Sequence, residues 1–289
     1  MKITCPAKIN LTLEVLQRRD DGYHALRSLM VPLELADTLG IEPADAFSFS
    51  CDDAELENDR NLVVRACRAV DDGARVAVTL HKRIPSQAGL GGGSSDAASV
   101  LLAAMEGAFG RRYAHDWLAV ARSLGSDVPF FLARSGALVE GTGERVTAVG
   151  ALPPWHVLVV KPPVAVSTAA AYATLDAHPR PTRARSGSDS LAALAALQRG
   201  DFDEVERRMS NDFNDVIAAE APEVARALDA LRAAGASNAL LSGSGSAVFT
   251  IARDRASIAA IAERMNLDAD YARFPTRIAP VTAWRGEIA

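Results

Sequence analysis

A chain of 289 residues exceeds one average domain, so two compact units sharing a cleft is the expected organisation. With 49% hydrophobic and 23% charged residues, the composition excludes disordered and fibrous classes. The net charge of −5 lacks the broad basic footprint of a nucleic-acid binder, and no nucleic-acid partner is expected.

The N-terminus, Met1-Lys2-Ile3-Thr4-Cys5-Pro6, carries no apolar stretch of the kind a signal peptide needs. No apolar run approaches the roughly 18 residues that span a bilayer, so no membrane partner is expected. Cys5, Cys51 and Cys67 show no CxxC spacing and no paired histidines. That argues against a disulfide framework or a zinc site and suits a reducing, cytoplasmic setting.

From Ala7 to Val15 the residues alternate: Ala7, Ile9, Leu11, Leu13 and Val15 point one way, Lys8, Asn10, Thr12 and Glu14 the other. This is the period of a half-buried strand, and it sets Lys8 and Asn10 on one polar face. A charged turn, Arg18 to Gly22, leads into Tyr23-His24, and strands are expected at Leu29–Leu35 and Gly40–Ser50. A helix is predicted over Asn61–Val70 and a strand over Arg75–Leu80. The glycine-rich stretch Pro85 to Ser95 precedes a helix from about Ser95 to Gly107. A further helix, Asp116–Leu124, stops at Gly125, read as a C′ glycine.

Composition shifts at 150–154, which divides the chain into units 1–152 and 153–289. A strand at Trp155–Val160 opens the second unit. Pro179–Ser190, rich in Pro, Arg, Ser and Gly, reads as a mobile surface loop. Helices follow at Leu191–Leu197, Asp203–Met209 and Pro222–Ala234, then two strands flanking Gly243-Ser244-Gly245 and a helix at Ser257–Met265. Strands and helices interleave without a regular repeat, so the class is α+β rather than a doubly wound sheet.

The run Pro85-Ser86-Gln87-Ala88-Gly89-Leu90-Gly91-Gly92-Gly93-Ser94-Ser95 is the most informative. Its glycines let backbone N–H groups approach a ligand, and the helix behind presents unpaired amides and a positive dipole end. Ser94 and Ser95 can cap the helix or offer hydroxyls to phosphate oxygens and a magnesium ion. No lysine lies in the stretch, which excludes a Walker loop, and a serine stands where a dinucleotide loop needs glycine. Read alone, the run is equally well a flexible turn.

The run resembles the second motif of the kinase superfamily containing galactokinase, homoserine kinase, mevalonate kinase and phosphomevalonate kinase. Pro6-Ala7-Lys8-Ile9-Asn10-Leu11 resembles its first motif and Leu241-Ser242-Gly243-Ser244-Gly245-Ser246-Ala247 its third, in the expected order across nearly the whole chain. Three more segments resemble the branch acting on a cytidyl diphosphate sugar alcohol in the non-mevalonate isoprenoid route. They are Arg19-Asp20-Asp21-Gly22-Tyr23-His24, Asp59-Arg60-Asn61-Leu62-Val63-Val64-Arg65-Ala66 and Leu124-Gly125-Ser126-Asp127-Val128-Pro129.

The resemblance implies an α+β two-domain small-molecule kinase fold. Its N-terminal domain would be ribosomal-S5-domain-2-like and its C-terminal domain ferredoxin-like, with the active site between them. It implies transfer of the γ-phosphoryl of ATP, with Mg²⁺, to the 2-hydroxyl of a methylerythritol moiety. Asp127 would be the base, partly desolvated by its apolar neighbours, and Lys8 its partner. Asn61, Leu62, Val63 and Lys82 would line the adenine pocket, although Leu62 and Val63 equally suit a core. Asn10 would orient Lys8 or the acceptor. Tyr23 and Tyr172 would lie above and below cytosine, with His24 and Thr168 at its rim and Gly243 and Ser244 nearby. Asp96 departs from the expected Asn and would place a charge near the phosphates that favours the helix N-terminus. No cluster of acids at metal-ligand spacing is evident. Another kinase of the superfamily, of homoserine or mevalonate type, and a non-catalytic α+β protein binding nucleotide or RNA remain as alternatives.

Overall fold

The structure, a computed structural model, describes residues 1–20, 22–178 and 188–280. Its first half is organised by one long antiparallel ribbon. β1 (Lys2–Arg18) pairs with β2 (His24–Pro43) in a register running from Lys2↔Gly40 to Arg18↔His24. That register shifts between Pro6 and Lys8 and again between Asn10 and Thr12, so Lys8 and Asn10 are bracketed by two irregularities. Such irregularities bend a strand and re-aim its side chains.

The expected Gly40–Ser50 strand is broken in two. β2 runs to Pro43, whose nitrogen cannot donate to a ladder, and β3 starts afresh at Ser48–Cys51. α1 (Leu62–Val70), β4 (Val76–His81), α2 (Gly92–Met105), α3 (Trp117–Leu124) and α4 (Val128–Leu132) follow. β5 (Gly136–Gly141) and β6 (Arg145–Gly150) complete this half. β4 pairs with the end of β2, β3 runs parallel to β4, and β5 pairs with the start of β2 and with β6. α1, α2 and α4 contribute Val63, Val100, Leu101, Phe130 and Phe131 to a core shared with Leu39, Ile41 and Leu80 of the sheet.

α2 starts at Gly92, earlier than the sequence suggested, so Gly92 to Ser95 form its first turn. Gly125 ends α3 as expected, but in extended backbone (φ 169°) rather than in a left-handed cap.

In the second half come β7 (His156–Lys161), α5 (Thr168–Ala177), α6 (Ser188–Gln198), α7 (Phe202–Arg208), β8 (Ser210–Asn211) and α8 (Asn214–Glu220). They are followed by α9 (Pro222–Ala233), β9 (Leu240–Leu241), β10 (Val248–Ala252), α10 (Arg255–Arg264) and β11 (Ala272–Arg277). β11, β7, β10 and β9 form an antiparallel sheet in that order, while β8 joins the first sheet, parallel to β1. Ile9, Leu11, Leu29 and Val31 of the ribbon pack with Val157, Val159 and Phe249 of the second sheet and with Trp155 just before it.

That packing covers one face of β1, and its polar side chains are buried as well, so the strand is not half-buried. Lys8, Asn10, Thr12 and Glu14 are 3%, 1%, 0% and 3% exposed. At the start of α6, Ser190 Oγ meets Thr12 Oγ1 at 2.7 Å and Ser190 N donates to Glu14 Oε2 at 3.0 Å. Of the stretch read as a mobile loop, residues 179–187 lie outside the described residues. Ser188–Ser190 belong to α6, with Ser190 buried. Among the described residues, no helix is long and apolar enough to cross a membrane.

Candidate active site

Lys8 is where the three glycine-bearing or lysine-bearing motifs meet. Its backbone N–H donates to Leu90 O at 2.9 Å, tying β1 to the glycine loop. A Cβ placed on Gly91 would stand 3.0 Å from Lys8 Cγ, and one on Gly243 3.2 Å from Lys8 Nζ. Glycine is needed at both positions, each at positive φ, because side chains there would crowd the lysine. The loops also bind one another: Ser242 Oγ donates to Gly89 O at 3.0 Å and Ala247 N to Ala88 O at 3.1 Å.

The lysine is aimed by a buried chain of hydrogen bonds. Nζ donates to Asn10 Oδ1 at 2.8 Å, Asn10 Nδ2 donates to Ser28 Oγ at 2.7 Å, and Ser28 Oγ donates to Thr12 O at 2.6 Å. Ser28 thereby fixes which way the Asn10 amide points. Asp127 Oδ2 lies 3.6 Å from Lys8 Nζ.

Asp127 occupies the N-cap position of α4, yet its side chain makes no capping hydrogen bond. The helix behind it is buried through Val128, Phe130 and Phe131, which holds the carboxylate at the cleft wall. The side chain is half-buried, 32% exposed, with its open part facing the cleft. A bound acceptor would have to cover it.

Two hollows adjoin at the glycine loop. A recess of about 360 Å³ is lined by Asn61, Leu62, Lys82 and the run from Pro85 to Ser94. A cleft of about 1030 Å³ is lined by Lys8, Asn10, Asp127, Tyr23, His24, Tyr172, Thr168, Gly243 and Ser244 among others. Gly89 belongs to the walls of both. α2 opens at the recess with Gly91 left-handed (φ 70°) at its N-cap and no side-chain cap, leaving first-turn amides for an anion. Ser95 Oγ, buried in that turn, has no hydrogen-bond partner among the described residues.

Several expected roles are revised. Val63 is buried in the core, not facing the recess, because α1 turns it inward. Asn61 caps α1, accepting from Val63 N at 2.9 Å. Lys82 reaches the recess wall, but its ammonium is engaged by Asp37 Oδ2 at 2.5 Å and Asp96 Oδ2 at 2.8 Å. Asp96 therefore does not face phosphate as an open charge. Burial pushes its carboxyl up to about 7, with Lys82 opposing and Asp37 adding to the rise. Burial alone would lower the Lys82 ammonium, but the charges of Asp96 and Asp37 raise it well above its ordinary range.

Among the aromatics, His24 and Tyr172 stack on each other, centroids 5.2 Å apart and planes 13° from parallel. Tyr172 is braced edge-on by Phe213, and His24 Nε2 lies 2.9 Å from Asp176 Oδ1. Tyr23 is 68% exposed at the cleft rim, and Thr168 Oγ1 sits 3.0 Å from Ser244 Oγ.

Sequence reasoning missed Asp37, Asn211, Ser28 and Asp176. Asp37 had a weak signal at most, standing with Glu34 and Thr38 among the apolar residues of the Leu33–Ile41 run. Asn211 had none, yet its Nδ2 donates to Leu241 O at 2.7 Å and Gly243 O at 2.8 Å, setting the path of the third loop. Among the described residues, no group of three His, Cys, Asp or Glu side chains could hold a metal ion.

Comparison with known proteins accords with this geometry. Residues 61–135 match the family described as GHMP kinases N terminal domain, and residues 193–269 match GHMP kinases C terminal. The 4-diphosphocytidyl-2-C-methyl-D-erythritol kinase of Deinococcus radiodurans is 46% identical over 90% of this chain and 88% of its own. Its namesake from Symbiobacterium thermophilum is 40% identical over 92% and 95%. A crystal structure of 4-(cytidine 5'-diphospho)-2C-methyl-D-erythritol kinase superposes with a TM-score of 0.75 at 35% identity, covering 96% of this chain and 98% of that one. Homoserine kinase from Cytophaga hutchinsonii shares the fold, with a TM-score of 0.74 at 19% identity over 97% and 95%. The chain therefore belongs to the 4-diphosphocytidyl-2-C-methyl-D-erythritol kinase family of GHMP kinases.

Proposed function

We propose that this chain transfers the γ-phosphoryl group of ATP to the 2-hydroxyl of 4-diphosphocytidyl-2-C-methyl-D-erythritol, giving the 2-phosphate and ADP in the non-mevalonate route to isoprenoid precursors. One observation carries the reading: Gly89 walls both the recess and the cleft, and Lys8 and Asp127 face the cleft side of that shared wall. A triphosphate gripped by the loop amides would point its last phosphorus at an alcohol beside the pair.

In the reaction Asp127 takes the hydroxyl proton as the acceptor oxygen bonds to the γ-phosphorus. The bond from that phosphorus to the β–γ bridging oxygen breaks, and ADP leaves with the electron pair. Lys8 faces Asp127 at 3.6 Å and offsets charge on the transferring group. Mg²⁺ fits the unpartnered Ser95 hydroxyl better than any acidic cluster, so Ser95 would hold it together with the phosphates and water. Its chemistry there is neutralisation of β- and γ-phosphate charge. Tyr23 covers the cytosine at the rim, with His24 and Thr168 beneath it.

The test is an ADP-release assay with ATP and Mg²⁺, comparing the cytidyl substrate with homoserine and mevalonate. Turnover is expected with the cytidyl substrate alone. Comparable turnover of homoserine or mevalonate would overturn the acceptor assignment.

A further inference from the structure

Behind the glycine loop lies a charged cluster for which the proposed reaction has no use. Asp37 on β2, Lys82 just past β4 and Asp96 on α2 converge, with side chains 0%, 11% and 2% exposed. Taking three charges out of water is expensive, and the cost is met only where each finds partners. Asp37 has the fullest set: besides Lys82 Nζ at 2.5 Å, its Oδ1 accepts Arg83 N at 2.5 Å and Ile84 N at 2.8 Å.

These contacts lie at the two ends of the loop. Residues 82–84 lead into it, and residues 92–96 lead out of it as the first turns of α2. On the exit side, a Cβ on Gly92 would stand 3.4 Å from Asp37 Oδ2 and 3.1 Å from Ile84 Cγ2. Entry and exit are thus fastened to one another through Asp37 and through the Lys82 bridge to Asp96.

We propose that Asp37, Lys82 and Asp96 form a positioning clamp for the nucleotide loop, in which Lys82 ties the loop's ends together and does not itself bind phosphate. The inference rests on the ATP reading of the recess. Fastening the ends before ligand arrives removes part of the ordering cost from binding, so the clamp acts on ATP affinity through the loop amides. A lysine that served phosphate directly would behave oppositely when Asp37 is neutralised, because its ammonium would be released toward the recess.

The experiment measures ATP affinity by calorimetry without acceptor, together with kcat and acceptor KM. The proteins are wild type, Asp37→Asn, Lys82→Met and the double variant. Asp37→Asn and Lys82→Met should each weaken ATP binding about tenfold, with the double variant no weaker than Lys82→Met alone, as for residues in one network. The loss should fall on ATP affinity, with acceptor KM unmoved. ATP binding by Asp37→Asn as tight as wild type, alongside a loss in Lys82→Met, would overturn the clamp and assign Lys82 to phosphate. If either variant fails to fold, Asp96→Ala decides: weakened ATP binding supports the clamp and an unchanged Kd sinks it. A wild type that binds ATP but phosphorylates no alcohol would refute the proposed reaction, while the same Kd comparison still judged the clamp.

Discussion

Lys8 Nζ and Asp127 Oδ2 stand 3.6 Å apart although 119 positions separate them in the chain, and the lysine is buried while the aspartate faces the cleft. In the proposed reaction the pair acts as a unit, the buried ammonium facing a partly exposed carboxylate across the cleft wall. Asp127→Asn should lower kcat by about 10²–10⁴, the range for loss of a general base, with ATP affinity nearly intact. Lys8→Met should fall in the same range. The double variant should be little worse than either single one, since residues acting as a unit are not additive. Near-normal kcat in Asp127→Asn would remove it from the chemistry and leave positioning alone.

The stacked His24 and Tyr172 rings predict a split between two aromatic variants. Tyr23→Ala should raise acceptor KM while leaving melting temperature and ATP affinity alone, because Tyr23 is exposed. Tyr172→Ala removes a ring that packs on both His24 and Phe213, so it should lower the melting temperature as well. Equal effects of Tyr23→Ala on acceptor and ATP would contradict this assignment.

Gly89→Ala tests the meeting of the second and third motifs. Its Cβ would fall 2.0 Å from Ser242 O, at a φ of +72° that already disfavours a side chain. Something must move, and the neighbours are backbone. ATP binding should be lost or severely weakened, with a stability loss of about 1–3 kcal/mol from backbone strain. A variant that titrates ATP normally would show that this contact tolerates separation of the loops.

Asn211→Ala should leave the carbonyls of Leu241 and Gly243 without their shared donor. Unsatisfied buried acceptors cost about 1–3 kcal/mol, so thermal unfolding should shift by that much, and turnover should fall because Gly243 abuts Lys8. Denaturant titration and rate measurement on the same preparation check both. Unaltered turnover would separate Asn211 from the site.

Cysteine labelling gives a pH-dependent check. Burial pushes the Cys67 thiol up to about 12, and it holds Cys5 well above its ordinary value. The thiolate is the reactive form, so at pH 8 both should resist alkylation in the folded protein. Cys51, only partly buried, should label first. All three should react once the chain is unfolded. Rapid modification of Cys67 under native conditions, read by mass spectrometry, would mean that the first core opens readily.

What the amino-acid sequence determined by itself was local. The alternation through β1, the glycines that free the loop backbone and the residues within each of the three motifs depend on neighbours a few positions apart. That was enough to reach an ATP-dependent kinase family, the strand bearing Lys8 and the loop at the head of α2. Tertiary structure alone decided which charges meet. Asp37 finds Lys82 across 45 positions, Asn211 finds the third loop, and His24 stacks on Tyr172. It also turned the expected polar face of β1 into a buried one, because α6 and the glycine loops close over it. The physical reason is that backbone period and glycine freedom act within a turn or two of chain. The partner of a buried charge is chosen by how distant segments pack, and nothing in their spacing records it.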